Sequence, residues 1–69
     1  MDIKSKVGKR IREIREKVEM SQKDLAYSSN LDRSYIASVE SGQRNISIVN
    51  LEKIANSLGV SLSELLKGI

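Results

Sequence analysis

Apolar residues recur at intervals of three and four along most of this chain. Ile3, Val7, Ile11, Ile14 and Val18 form one such series, with charged residues filling most of the positions between them. That spacing places the apolar side chains on one face of a helix, expected over about residues 3–18. A second helix is expected over 21–28. Ser21 is a good N-cap, Asp24 three residues on is able to reach back to it, and Leu25 and Ala26 face inward. Asn30 tolerates the left-handed conformation of a tight turn. Asp32 caps a third helix over 32–41, which draws its apolar contacts from Tyr35, Ile36 and Val39 and stops at Gly42. The polar loop Gln43-Arg44-Asn45 follows. Ser47 caps a fourth helix over 47–58, with the stripe Ile48, Leu51, Ile54, Ala55 and Leu58 and a terminating Gly59. Ser61 with Glu64 reads as a second capping box, opening a short fifth helix over 61–67 with Leu62, Leu65 and Leu66. The expectation is an all-α fold of five helices, one compact domain over residues 1–69 with no repeat and no linker.

Composition narrows the function classes. A 69-residue chain buries a modest core, and such domains lean on disulfides, a metal or oligomerisation. There are no cysteines and no histidines. Disulfides, thiolate zinc sites and imidazole ligands are therefore out, no metal or cofactor is expected, and oligomerisation is what remains. The same absence argues against an enzyme: the serines have no evident base to activate them. No segment approaches the ~20 apolar residues that span a bilayer. The polar start of the chain lacks a signal-peptide core, so no membrane association is expected and the cytoplasm is the expected location.

The net charge of +3 is unevenly placed. Residues 1–17 carry seven Lys or Arg against three acids, a net +4, and residues 18–69 carry five against six, a net −1. A basic first helix suits attraction to a polyanion, although a solvated helix face explains such runs equally well.

The spacing of the second and third helices is more informative. Two short helices meeting across Ser29-Asn30-Leu31 have helix-turn-helix proportions, in which the second enters the major groove while the first crosses the backbone. Ser21-Gln22, Leu25-Ala26, Leu31, Ile36, Val39-Glu40, Gly42, Arg44, Leu51, Ile54-Ala55 and Leu58-Gly59-Val60 fall at the spacing of one family. Over roughly residues 7–66 the chain resembles the phage repressor and Cro-like helix-turn-helix regulators, the XRE family. The runs Leu31-Asp32-Arg33-Ser34-Tyr35-Ile36 and Glu40-Ser41-Gly42-Gln43-Arg44-Asn45-Ile46-Ser47 resemble the controller proteins of restriction–modification systems. One departure is Ile46, where many family members have proline.

Roles follow for individual residues. Arg33, Ser34 and Ser38 lie at the start and on one exposed face of the third helix, opposite Ile36 and Val39. Residues there reach base edges, and Arg33 is expected to be the main reader, donating two hydrogen bonds to a guanine. Tyr35 has three options: core packing, a phosphate hydrogen bond or a thymine methyl. The resemblance implies DNA contact. Tyr27 is assigned to packing, with a backbone phosphate contact as the lesser option. Ser21 and Gln22 open the second helix, where free N–H groups suit a phosphate, and the resemblance places Gln22 on the DNA backbone. Gln43, Arg44, Asn45 and Ser47 are expected to contact phosphates across the groove. The resemblance makes Arg15 and Glu40 a structural ion pair joining the first helix to the third. Lys4, Lys6, Lys9 and Arg10 read as long-range steering charges.

With no separate dimerisation domain evident, a dimer must use the domain itself. Leu62, Ile69 and Val49 are the apolar residues least needed for the core, so helices four and five are the expected two-fold contact, with Leu62 central. Together these expectations describe a sequence-specific transcriptional regulator binding a pseudo-palindromic double-stranded operator as a homodimer. The resemblance favours an autoregulatory controller of a restriction–modification operon. A phage-type repressor or an antitoxin-like interaction module is the alternative, the latter disfavoured because no toxin-binding segment follows Leu66.

Overall fold

A computed structural model describes residues 2–69. Five helices follow in order: α1 (Ile3–Lys17), α2 (Gln22–Ser29), α3 (Arg33–Glu40), α4 (Ile48–Leu58) and α5 (Leu62–Leu65). There is no strand among the described residues.

Short-range caps set most of the helix starts. The Asp2 carboxylate accepts from the Ser5 N–H at 2.8 Å, Ser47 Oγ from Asn50 N–H at 3.1 Å, and Ser61 Oγ from Glu64 N–H at 3.0 Å. At α2 the exchange is reciprocal: Asp24 N–H donates to Ser21 Oγ at 2.9 Å, and Ser21 N–H donates to Asp24 Oδ2 at 3.0 Å. The box expected at Ser61 and Glu64 forms only its serine half, because the Glu64 side chain stays in solvent. Asp32 stands at the N-cap of α3 but makes no side-chain cap bond. Asn30 (φ 59°) and Gly59 (φ 75°) end α2 and α4 in the left-handed conformation. The end of α1 differs from expectation. Val18 is its C-cap and lies exposed, and Glu19 takes φ 61°, an unusual conformation for a residue with a side chain. The fifth helix stops at Leu65 rather than running to 67.

The reciprocal cap has a pH signature. Hydrogen bonds from Ser21, its backbone N–H first, hold the Asp24 carboxyl below the usual carboxylate range. Ser5 does the same for Asp2. A carboxyl held low in the folded chain favours folding at pH above its unfolded value, and that advantage is lost as pH falls through the folded value. Thermal unfolding should therefore become easier below about pH 4. Asp24→Asn should lower the melting temperature at pH 7 and flatten the acid slope. An unchanged slope would place the acid sensitivity elsewhere.

Each helix sends at least one fully buried side chain to the centre, the largest being Ile11, Leu25, Ile36, Ile54 and Leu65. Val7, Ile14, Val39, Leu51 and Leu58 complete the same cluster. The stripes overrun their ends, so that Ile3, Val18 and Ile48 are exposed. Tyr27, expected to pack, is 90% exposed. Ile46 is partly buried and packs against the core, anchoring the loop before α4.

The recognition pair sits on this frame. α3 packs against α1 and α2, and α4 packs against α2. The contact between α1 and α3 is close enough to need a glycine. A Cβ on Gly8 would overlap the Val39 carbonyl oxygen and lie 2.8 Å from that of Glu40. At the far end of the chain, Arg10 donates from Nε to the Leu65 carbonyl at 3.0 Å and from Nη2 to that of Glu64 at 2.9 Å. This guanidinium ties α1 to the end of α5. Its fork is committed to neutral carbonyls, which leaves its positive charge in place.

Candidate nucleic-acid interface

The first turn of α3 presents Arg33 and Ser34 to solvent. Arg33 is the first residue of the helix, and neither side chain is engaged in a hydrogen bond among the described residues. Ile36 and Val39 turn inward from the same helix, so its periodicity separates a packed face from a free one.

Ser38 is less available than expected. It is half-buried, and its hydroxyl donates to the Tyr35 carbonyl at 2.8 Å within the helix. What it offers DNA is its oxygen as an acceptor. Tyr35 is also half-buried and packs against the core. Its hydroxyl accepts from Asn50 Nδ2 at 3.1 Å, and the Arg44 guanidinium lies 5.0 Å from its ring centre, within cation–π range. Of the options open in the sequence, the structure shows core packing, with the hydroxyl and one ring face engaged by Asn50 and Arg44. Asn50 has no counterpart among the residues singled out from the sequence.

The loop from Ser41 to Ser47 folds back on α3. The Gln43 and Arg44 N–H groups both donate to the Ser38 carbonyl, at 3.0 and 3.2 Å. The Gln43, Arg44, Asn45 and Ser47 side chains are exposed. Ser47 spends its oxygen as a helix cap and keeps its proton to donate. Ser21 is in the same condition at the start of α2.

Behind this surface lies an ionic network. Arg15 Nε donates to Glu40 Oε2 at 2.7 Å and Nη2 donates to Oε1 at 3.0 Å, a two-point pairing. Arg15 Nη1 donates to the Met20 carbonyl at 2.8 Å. The two side chains are only 11% and 4% exposed. The hydrogen bonds to Glu40 push the Arg15 pKa upward, so the guanidinium stays charged. Gln22, expected on a phosphate, donates from Nε2 to Glu40 Oε1 at 3.1 Å. A side-chain amide has two N–H groups, and the second is free for another acceptor. α1 and α2 therefore converge on one carboxylate of α3, and Arg15 also holds the turn after α1 through Met20.

The expected dimer residues differ in how much surface they offer. Val49 is 60% exposed and is joined by the exposed Ile48 on the first turn of α4. Ile69 is 44% exposed and lines a groove with Ile3, Ile46 and Leu66. Leu62 is half-buried against the core, so it offers less free surface than its expected central role requires. No helix among the described residues is long and apolar enough to cross a membrane.

Two short helices joined by a left-handed turn, the second fixed from behind and free in front, define a DNA-binding helix-turn-helix. Residues 11–65 match the helix-turn-helix family, and the chain belongs to its XRE-type branch of transcriptional regulators. Its relatives include restriction–modification control proteins. The control protein C.MunI of Mycoplasma sp is 48% identical over 69 residues, covering 99% of this chain and 93% of its own. The crystal structure of the restriction–modification controller protein C.AhdI from Aeromonas hydrophila superposes with a TM-score of 0.89 at 48% identity, over 91% of this chain and 96% of that one. The controller protein C.Esp1396I, crystallised as a tetramer with its natural 35 base-pair operator, superposes with a TM-score of 0.84 at 43% identity, over 97% and 99% of the two chains.

Proposed function

We propose that this protein is the controller of a restriction–modification operon, binding an operator upstream of its own gene as a homodimer. One observation carries the site assignment. Arg33 has no hydrogen-bond partner among the described residues and stands at the exposed N-terminus of α3, while Glu40 at the other end of the same helix is fastened to Arg15. A fixed helix with a free guanidinium at its tip suits base reading in the major groove. Arg33 is the principal reader, with Ser34, Tyr35 and the Ser38 oxygen beside it. Ser21, Gln22, Gln43, Arg44, Asn45 and Ser47 take phosphates on either side and set the register. The two-fold contact uses α4 and α5, with Val49 and Ile69 the more exposed contributors and Leu62 at its inner edge.

A gel-shift titration at physiological salt tests this reading, using the gene's upstream DNA and a scrambled duplex. The wild type should prefer its own DNA by ~10³-fold or more. Arg33→Ala should lose about 1–3 kcal/mol of that preference. A mutant that keeps the preference removes Arg33 as reader, and a wild type without preference removes autoregulation. Sedimentation of the same preparations beside Val49→Glu addresses the dimer. A wild-type dimer that the added charge leaves intact puts the contact elsewhere.

A further inference from the structure

Asn50 lies on the first turn of α4, 15 residues from Tyr35 along the chain. Its backbone N–H goes to the Ser47 cap, which fixes the main chain at this point. Its side-chain amide donates to the Tyr35 hydroxyl. A phenol has one proton to give and lone pairs to receive. With one lone pair occupied by Asn50, the hydroxyl proton is left unspent, and no acceptor for it occurs among the described residues. The face of the same ring carries Arg44 at 5.0 Å.

We propose that Asn50 is a positioning residue for DNA recognition: from α4 it fixes Tyr35 as a hydrogen-bond donor and as a platform for Arg44. This inference rests on the operator-binding reading above. Its chemical content is selective. A hydroxyl held as a donor favours base-edge acceptors in the major groove, which are guanine O6 and N7, thymine O4 and adenine N7. The amino group of cytosine, itself a donor, leaves that proton unused. Stacking on Tyr35 limits the conformations of the long Arg44 side chain, reducing what Arg44 loses in freedom on meeting the DNA. The recognition helix, the loop after it and α4 thereby act as one unit around a single aromatic ring.

The test is a double-mutant cycle with Asn50→Ala, Tyr35→Phe and the pair. The probes are a duplex selected from a random pool by the wild type, and a scrambled duplex of the same length. Asn50→Ala should lower the ratio of selected to scrambled affinity by about tenfold, the scale of one hydrogen bond. In the Tyr35→Phe background it should lower that ratio no further. In the free protein, Asn50→Ala should move the Arg44 side-chain proton resonances, shifted by the ring current of Tyr35, toward their unstacked positions, with the melting temperature little changed. Additive losses, equal losses on both duplexes, or Arg44 resonances that stay in place would each overturn the proposal. Should the wild type select no duplex, operator binding is what fails, and the resonances of the free protein still decide whether Asn50 positions Tyr35.

Discussion

Glu40→Ala should destabilise the folded chain by about 3–5 kcal/mol, the usual cost of removing one partner of a buried ion pair. Glu40 accepts three hydrogen bonds, from Arg15 Nε, Arg15 Nη2 and Gln22 Nε2. Without it the guanidinium keeps only the Met20 carbonyl, in a place where its side chain is 11% exposed. Most of the loss comes from holding that unpaired charge away from water. Stability of about 0.05–0.15 kcal/mol per residue gives a chain of this length little to spare. The mutant should be partly unfolded at room temperature, as urea titration followed by circular dichroism would show.

The exposed pair of Arg12 and Glu16 is the control. At 3.5 Å, with side chains 62% and 57% exposed, its loss should cost no more than about 0.5 kcal/mol. Replacing both buried partners, Arg15→Met with Glu40→Leu, should recover most of the stability, because no charge is left stranded. DNA binding should recover less, since Gln22 still lacks its partner. A loss below about 1 kcal/mol for Glu40→Ala would mean that water reaches the pair.

Much of the fold is legible in the sequence because its determinants are local. Ser21 and Ser47 cap helices by reaching three residues along the chain. Asn30 and Gly59 end helices through their own conformation. Periodicity names the inward face of each helix, but not whether a neighbour covers the ends of that face. Ile3, Val18 and Ile48 therefore look buried in the pattern and lie exposed in the fold. Tyr27 fails for the same reason: an aromatic side chain is not evidence of a partner. The site divides likewise. Arg33 can be placed from helix-turn-helix spacing alone. The pairing of Arg15 with Glu40 spans 25 residues and came within reach only through family resemblance. The contacts of Gln22 with Glu40, Tyr35 with Asn50 and Arg10 with α5 span 18, 15 and 55 residues. No local pattern marks them, because they exist only after the helices have docked.

That docking turns on a position with no side chain, which gives the second large effect. Gly8→Ala should lower stability by about 3 kcal/mol, toward the upper end for overpacked sites. Two forces oppose each other. In the interior of α1, alanine is the better helix former by about 1 kcal/mol. Against that, its methyl group would overlap the Val39 carbonyl oxygen and crowd that of Glu40. These are main-chain atoms of α3, so no rotamer change relieves them and the whole helix has to move. For a domain of this size the net loss should appear as a fall of at least about 10 °C in melting temperature. Because α3 carries Arg33 and holds Glu40 against Arg15, its displacement should weaken operator binding even where the chain remains folded. Gly59→Ala separates clash from strain: its φ is 75° and nothing lies within 4 Å of an added Cβ, so only about 1–2 kcal/mol of backbone strain is at stake. A higher melting temperature for Gly8→Ala would mean that helix propensity outweighs the contact, and α1 would then not set the position of the recognition helix.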